Sequence, residues 1–251
     1  MSLEGRVCII TGGGSGIGRA SALMMAAGGA RVVLAGRTAS KLRSVEDEIS
    51  AAGGTARSFA LDVADSVAVH AMASSVIEEF GGVDVLVNNA GHSSPHRKLL
   101  TTTPDDIQEV LNSNLIGTIY CTQAVVPSML EAGRGTIINV SSLAGVVPGL
   151  LGGMAYSAAK AAVINFTEFI NTEFKNTGIR ASVVIPGEVD TPIMDTRPVV
   201  PSGEARETMV TAGDAAEAVS LIASLPQRSA IPRLVIRPTI LRDHSGEEGV
   251  A

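Results

Sequence analysis

The chain has 251 residues, of which 45% are hydrophobic, 18% charged and 3% aromatic. That length suits one large α/β domain with an aliphatic core, and the composition excludes a disordered chain. A net charge of -6 with scattered Lys and Arg leaves no footprint for nucleic acid, and no window nears the ~18 consecutive apolar residues of a membrane helix.

The segment from Met1 to Arg6 lacks the charged, apolar and small-residue regions of a signal peptide and leads into an apolar run, the first predicted strand at 6–11. Cys8 in that run and Cys121 farther on have no disulfide or metal-knuckle spacing, so both read as buried free thiols in a soluble, reducing, cytoplasmic protein. A turn, Thr11-Gly12-Gly13-Gly14-Ser15-Gly16-Ile17-Gly18, joins the first strand to a helix at 16–28. Between strand and helix, glycines admit a phosphate chain close to backbone N–H groups, whereas Arg19-Ala20 after Gly18 rules against a Walker-type loop.

Further β-branched runs predict strands at 31–35, 55–60, 83–88, 134–141, 179–185 and 232–237, and helical periodicity predicts helices at 38–51, 65–80, 105–131 and 155–176. Thr38, Asp65 and Thr103-Pro104 supply helix starts. This alternation predicts a doubly wound Rossmann fold over residues 1–251, with a central parallel sheet of about seven strands and helices on both faces. The Pro- and Gly-bearing stretch 192–213 reads either as a mobile lid or as a solvated connector, and 242–251 as a frayed polar tail.

Tyr156 stands four residues before Lys160, which puts a phenol and an ammonium on one helix face. Bringing a phenol that titrates near ~10 down to neutrality takes roughly 4 kcal/mol of differential interaction, and a desolvated ammonium beside it acts in that direction. Taken alone, the spacing also fits a surface Tyr beside a solvated Lys. Its context is Asn88-Asn89-Ala90-Gly91 after the fourth strand, Ser141-Ser142 after the fifth and Pro186-Gly187 after the sixth.

With these motifs in this order over 6–191, the chain resembles the single-domain branch of the short-chain dehydrogenase/reductase family, whose patterns are T-G-x-x-x-G-x-G, N-N-A-G, a Ser ahead of Y-x-x-x-K, and P-G. The resemblance implies an NAD(P)-dependent oxidoreductase interconverting a carbonyl compound and an alcohol. Tyr156 would be the acid/base, Lys160 would lower its pKa and hold the nicotinamide ribose, and Ser142 would polarise the carbonyl. The Ser–Tyr spacing departs by one from the family's common one, so Ser141 stays open beside Ser142. Asn114 matches the helix Asn that positions a water in the proton relay, or else simply bonds helix carbonyls.

Cofactor contacts implied are Gly12, Gly14, Ser15, Gly16, Ile17 and Gly18 in the turn, Asp62 and Val63 at the adenine, Asn89, Ala90 and Gly91, then Pro186, Gly187, Val189 and Thr191 at the carboxamide, with Tyr156 and Lys160. From Arg31 to Val45 there is no acid to take a ribose 2′-hydroxyl, and Arg37 could grip a 2′-phosphate, so NADP(H) is favoured while NAD(H) stays open. Arg37 also fits a solvated helix start or stacking on adenine.

The substrate side is expected to be an apolar wall of Val146, Val147, Leu150, Leu151 and Met154, with His92 and His96 at its border. No metal is indicated. A small-molecule substrate and a homo-oligomer, tetramer or dimer, complete the expectation. Its rival is a catalytically silent dinucleotide-binding sensor or scaffold.

Overall fold

The computed structural model describes residues 2–248. The short apolar runs become β1 (Val7–Thr11), β2 (Arg31–Gly36), β3 (Thr55–Ala60), β4 (Val85–Asn88), β5 (Gly135–Val140) and β6 (Ile179–Pro186). A two-residue pair follows, β7 (Val189–Asp190) with β8 (Val210–Thr211), and then β9 (Arg233–Ile236). Among the described residues the main sheet has seven strands, all parallel, in the order β3-β2-β1-β4-β5-β6-β9.

Strands buried on both faces need apolar side chains pointing both ways, which is why their runs do not alternate with polar residues. Cys8 and Ile10 point to one face, where they join Val32 and Leu34 under α1 (Gly16–Ala27), α2 (Ala39–Ala51) and the later helix 212–224. Val7 and Ile9 point to the other, with Val33 and Ala35, under α3 (Ser66–Phe80) and the helices at 117–132 and 154–173. Each fully buried Ile or Leu contributes roughly 2 kcal/mol. The order of the sheet reverses between β1 and β4, so a crevice opens beyond their C-terminal ends.

The single helix predicted at 105–131 is divided. α4 (Pro104–Leu111) starts in a capping box between Thr103 and Asp106, a π-turn spans Asn112–Ile116, and α5 (Gly117–Ala132) follows. The π-turn is a local widening in which the Gly117 N–H reaches back to the Asn112 carbonyl. Next is α6 (Met154–Glu173), close to prediction.

Past β6 the prediction is less complete. The irregular stretch contains a 3₁₀ turn, Pro192–Thr196, and α7 (Gly203–Glu207). The helix α8 (Ala212–Ser224) was not predicted, although Thr211 and Asp214 form a second capping box at its start. Of the tail expected to fray, 249–251 lie outside the described residues. Its first part is not free, because Arg242 and Glu247 around α9 (Ser245–Glu248) pair with each other and with Glu188 and Arg197 beside the crevice. Four charges of balanced sign desolvate together there, which an isolated polar tail does not do.

Candidate active site

The crevice begins with a knot between two strand ends. Thr11 Oγ1 accepts hydrogen bonds from the Asn89 and Ala90 N–H groups, each at 3.0 Å, and Asn89 Nδ2 donates to the Thr11 carbonyl at 3.0 Å. Between these ends Gly12 turns in the left-handed region, φ +65°, and a Cβ there would lie 2.8 Å from Asn89 Nδ2. Gly18 lets α1 pack on that turn, since a Cβ would run into the Gly12 carbonyl. Of the residues predicted for catalysis or cofactor binding, Gly18 alone lines neither cavity described below, and its part is to seat the helix.

Two connected cavities share Gly12, Ser15, Ala90, Gly91 and His92. The smaller, about 240 Å³, is lined by Gly14, Arg37, Lys41, Asp62 and Val63 among others. The larger, about 720 Å³, collects Gly16, Ile17, Asn89, Asn114, Ser142, Tyr156, Lys160, Pro186, Gly187, Val189 and Thr191. Residues scattered over 6–191 of the sequence thus meet along one groove.

Ser142 follows β5, its Oγ accepts from the Ala144 N–H at 3.2 Å and its side chain acts to lower the Tyr156 phenol, while Ser141 Oγ donates to the Lys160 carbonyl at 2.8 Å, a buried packing role that separates the two serines. Lys160 is 4% exposed, with Nζ donating to the Val140 carbonyl at 2.9 Å and lying 5.5 Å from the centre of the Tyr156 ring. Burial pushes Lys160 down to about 8. The Tyr156 phenol, expected to be lowered, is raised instead. Desolvation outweighs the opposing pull of Ser142, Arg97 and Arg197, and the Lys160 ammonium is turned to a backbone carbonyl.

Asn114 sits in the π-turn, fully buried, with Nδ2 donating to the His92 carbonyl at 2.8 Å and the Val110 carbonyl at 2.9 Å. Its Oδ1 has no hydrogen-bond partner, and it converges with Lys160 Nζ on Gly91. An orphaned acceptor at such a place suits a bound water.

On the substrate side Val147 and Leu151 line the larger cavity as expected, whereas Val146 and Leu150 face solvent and Met154 packs with Val110. His92 lines both cavities. His96 does neither, because Asp106 holds its Nδ1 at 2.9 Å. The 3₁₀ turn after β7 adds Ile193 and Met194 to the wall.

Sequence reasoning missed the charges at this end. Arg97 and Arg197 both line the larger cavity, with Glu188 and His244. Arg197 donates to Glu188 at 2.7 Å, and Arg242 donates to both oxygens of Glu188 at 2.7 and 2.9 Å. Burial acts to raise the Glu188 carboxyl, but these guanidinium bonds outweigh it and hold it below its ordinary value. An Arg in a polar loop carries no periodic signal, and only the turn toward α6 betrays Arg97, whose carbonyl accepts from the Met154 N–H. Among the described residues no group of His, Cys, Asp or Glu is placed to hold a metal ion, and no helix is long and apolar enough to cross a membrane.

The family model for short chain dehydrogenases matches residues 6–198. The 3-oxoacyl-[acyl-carrier-protein] reductase FabG of Thermotoga maritima is 37% identical over 211 residues, 84% of this chain and 83% of that one. A metagenomic short-chain oxidoreductase solved in complex with NADP superposes with a TM-score of 0.83 at 36% identity, covering 96% of this chain and all of the other. The closed form of a serine dehydrogenase complexed with NADP+ gives 0.85 at 29% identity, over 95% and 99% of the two chains. The chain belongs to the short-chain dehydrogenase family and is an NAD(P)-dependent oxidoreductase acting between carbonyl compounds and alcohols.

Proposed function

We propose that this oxidoreductase works with NADP(H) on a small to medium, partly apolar carbonyl or alcohol substrate, with Tyr156 as acid/base. The observation that carries the reading is the meeting of Ser142, Tyr156, Lys160 and Asn114 on one cavity continuous with the Gly-rich turn. The residues present fit a dinucleotide: backbone is bare at Gly12 where a Cβ would clash, and the buried Asn114 Oδ1 lacks a partner. When bound, the dinucleotide supplies or takes the hydride.

The chain's own part is the oxygen. Ser142 and Tyr156 line the same cavity, so both hydroxyls stand where negative charge would develop on the substrate oxygen. Tyr156 delivers the proton in the reducing direction and takes it in the oxidising one. Its raised pKa keeps the phenol protonated, as a donor must be. Lys160 recharges it through a water held at Asn114 Oδ1.

Arg37 at the rim of the smaller cavity, with Lys41 beside it, supports a 2′-phosphate, and the solved relatives named above carry NADP. Asp62 in the same lining is distant in sequence from the strand end where a ribose-binding acid stands. The two buried free thiols suit a cytoplasmic setting, and exposed Leu99, Leu100 and Phe169 offer apolar surface for a homo-oligomer, dimer or tetramer. Cell fractionation and light scattering test those two parts.

The catalytic reading is tested by absorbance of the reduced nicotinamide with a panel of carbonyl compounds. Tyr156→Phe should lower turnover by roughly 10²–10⁴-fold, the range of a lost general acid. Equal rates in the two proteins would remove Tyr156 from the mechanism.

A further inference from the structure

The larger cavity is electrically lopsided. Arg97, Lys160 and Arg197 line it, and among the described residues Glu188 is the one carboxylate in that lining. Glu188 is already taken by Arg197 and Arg242, and Glu247 lies 3.5 Å from Arg197 Nη1, so those four charges balance. Lys160 is turned to the Val140 carbonyl. Arg97 remains.

Arg97 is 4% exposed, its Nε has no hydrogen-bond partner, and no carboxylate among the described residues forms an ion pair with it. A buried guanidinium nitrogen without a partner is costly, and such a group calls for a reason, of which a ligand that completes it is one. Its placement is fixed by backbone: the Arg97 carbonyl accepts from the Met154 N–H at 3.0 Å, at the first residue of the helix that carries Tyr156. Close packing of Gly153 on Arg97 Cα and Cβ holds the two segments together. The guanidinium and the Tyr156 phenol lie within electrostatic reach of each other. Around them the wall is apolar, formed by Val147, Leu151, Ile193 and Met194.

We propose that the substrate is an oxo acid or hydroxy acid whose carboxylate is bound by Arg97 while its carbonyl or hydroxyl oxygen lies at Tyr156 and Ser142. This names the substrate class of the site and rests on the oxidoreductase reading above. The planar fork of a guanidinium matches both carboxylate oxygens, and the apolar wall takes the carbon chain. In reduction, the substrate carbon would gain the hydride that a bound dinucleotide releases by breaking one of its own C–H bonds, the carbonyl π pair would move to oxygen, and the Tyr156 proton would complete the hydroxyl. The carboxylate stays intact throughout, so Arg97 binds and orients without entering the bond changes.

The test compares 2-oxohexanoate and 3-oxohexanoate with their methyl esters and with 2-hexanone, in the parent and in Arg97→Gln. We expect the parent to prefer an acid over its ester in kcat/KM by on the order of 100-fold, the worth of a charged hydrogen-bonded pair. Arg97→Gln should erase that preference, bringing the kcat/KM values of acid and ester to within a few fold of each other, and a cooperative thermal transition like the parent's shows that the variant folds. Arg97→Lys should keep part of it, since it retains the charge and loses the fork. Esters used as well as acids in the parent would overturn the proposal. So would an equal loss on acid, ester and ketone in Arg97→Gln, because that marks Arg97 as acting on Tyr156 or on the fold.

A separate readout needs no turnover. Calorimetry of hexanoate and hexanamide on the protein without dinucleotide should show the carboxylate binding at least 10-fold tighter in the parent, and no difference in Arg97→Gln. Equal binding of the two in the parent overturns the carboxylate site. Should no carbonyl compound be reduced while hexanoate still binds through Arg97, the oxidoreductase reading fails and the anion site stands.

Discussion

An ammonium taken out of water loses hydration that a single carbonyl only partly replaces, and Lys160 is pushed down to about 8 for that reason. Lysine in the unfolded chain titrates near ~10.4, so between about pH 8 and 10.4 unfolding takes up a proton that the folded protein has released. Stability therefore rises with pH across that window, and below it the full cost of about 3 kcal/mol is present. We expect urea midpoints of the parent to rise between pH 8 and 10 relative to those of Lys160→Met. A difference between the two proteins that does not change with pH would mean that Lys160 is not held charged in the core. The Tyr–Lys spacing is a helix property and could be read from residues 156 and 160 alone. The sign of the Tyr156 shift could not, because it is decided by how deeply the ring is buried and by where the Lys160 amine points. Arg97 was illegible for the same reason: its meaning lies in the partner it lacks.

At the scale of elements, the chain after β6 closes on itself through charge. Arg242 bridges Glu188, in the turn after β6, and Glu247, in α9, and their side chains are 12%, 17% and 13% exposed. Removing one member leaves a half-buried carboxylate less well paired, a loss of about 1–3 kcal/mol. Arg242→Ala should lower the unfolding free energy measured by urea denaturation by that amount and make residues beyond 241 cleavable by protease, read as a mass loss on intact protein. If the tail stays protected, its hold on the body lies elsewhere. This clamp reads in the sequence as an unremarkable polar tail, because pairing between residues 188 and 242 is fixed only once β9 has brought the chain back beside β6. The unpredicted α8 is a different case. Its signal was present in Thr211 and Asp214, and the Pro- and Gly-bearing stretch before it masked the start. The π-turn at Asn112–Ile116 has no such signal, since one extra residue in a turn leaves the apolar periodicity almost unchanged.

Over the whole molecule, the apolar runs of β1, β2, β4, β5 and β6, buried along nearly their whole length and separated by helices, carried the parallel sheet, while the edge strands β3 and β9 are partly exposed and gave the weaker signal. The location of the groove follows from the reversal of strand order between β1 and β4, which no local pattern encodes. A ligand lying along that groove touches the Gly turn, the ends of β4 and β5, α6 and the turn after β6, so its binding free energy is spread over the fold as global stability. At about 100 times its Kd a ligand specific to the folded state adds about 2.7 kcal/mol, which for a chain of this size raises Tm by roughly 5–10 °C. We expect NADPH to give a shift of that order and NADH, at the same concentration, a smaller one. Arg37 lines the smaller chamber, the one proposed above for the 2′-phosphate, so Arg37→Ala should narrow the gap by lowering the NADPH shift and leaving the NADH shift in place. A parent stabilised as much by NADH as by NADPH would refute the NADP preference. A gap that survives Arg37→Ala would move the phosphate contact to another residue of that chamber, with Lys41 the nearest cation in sequence.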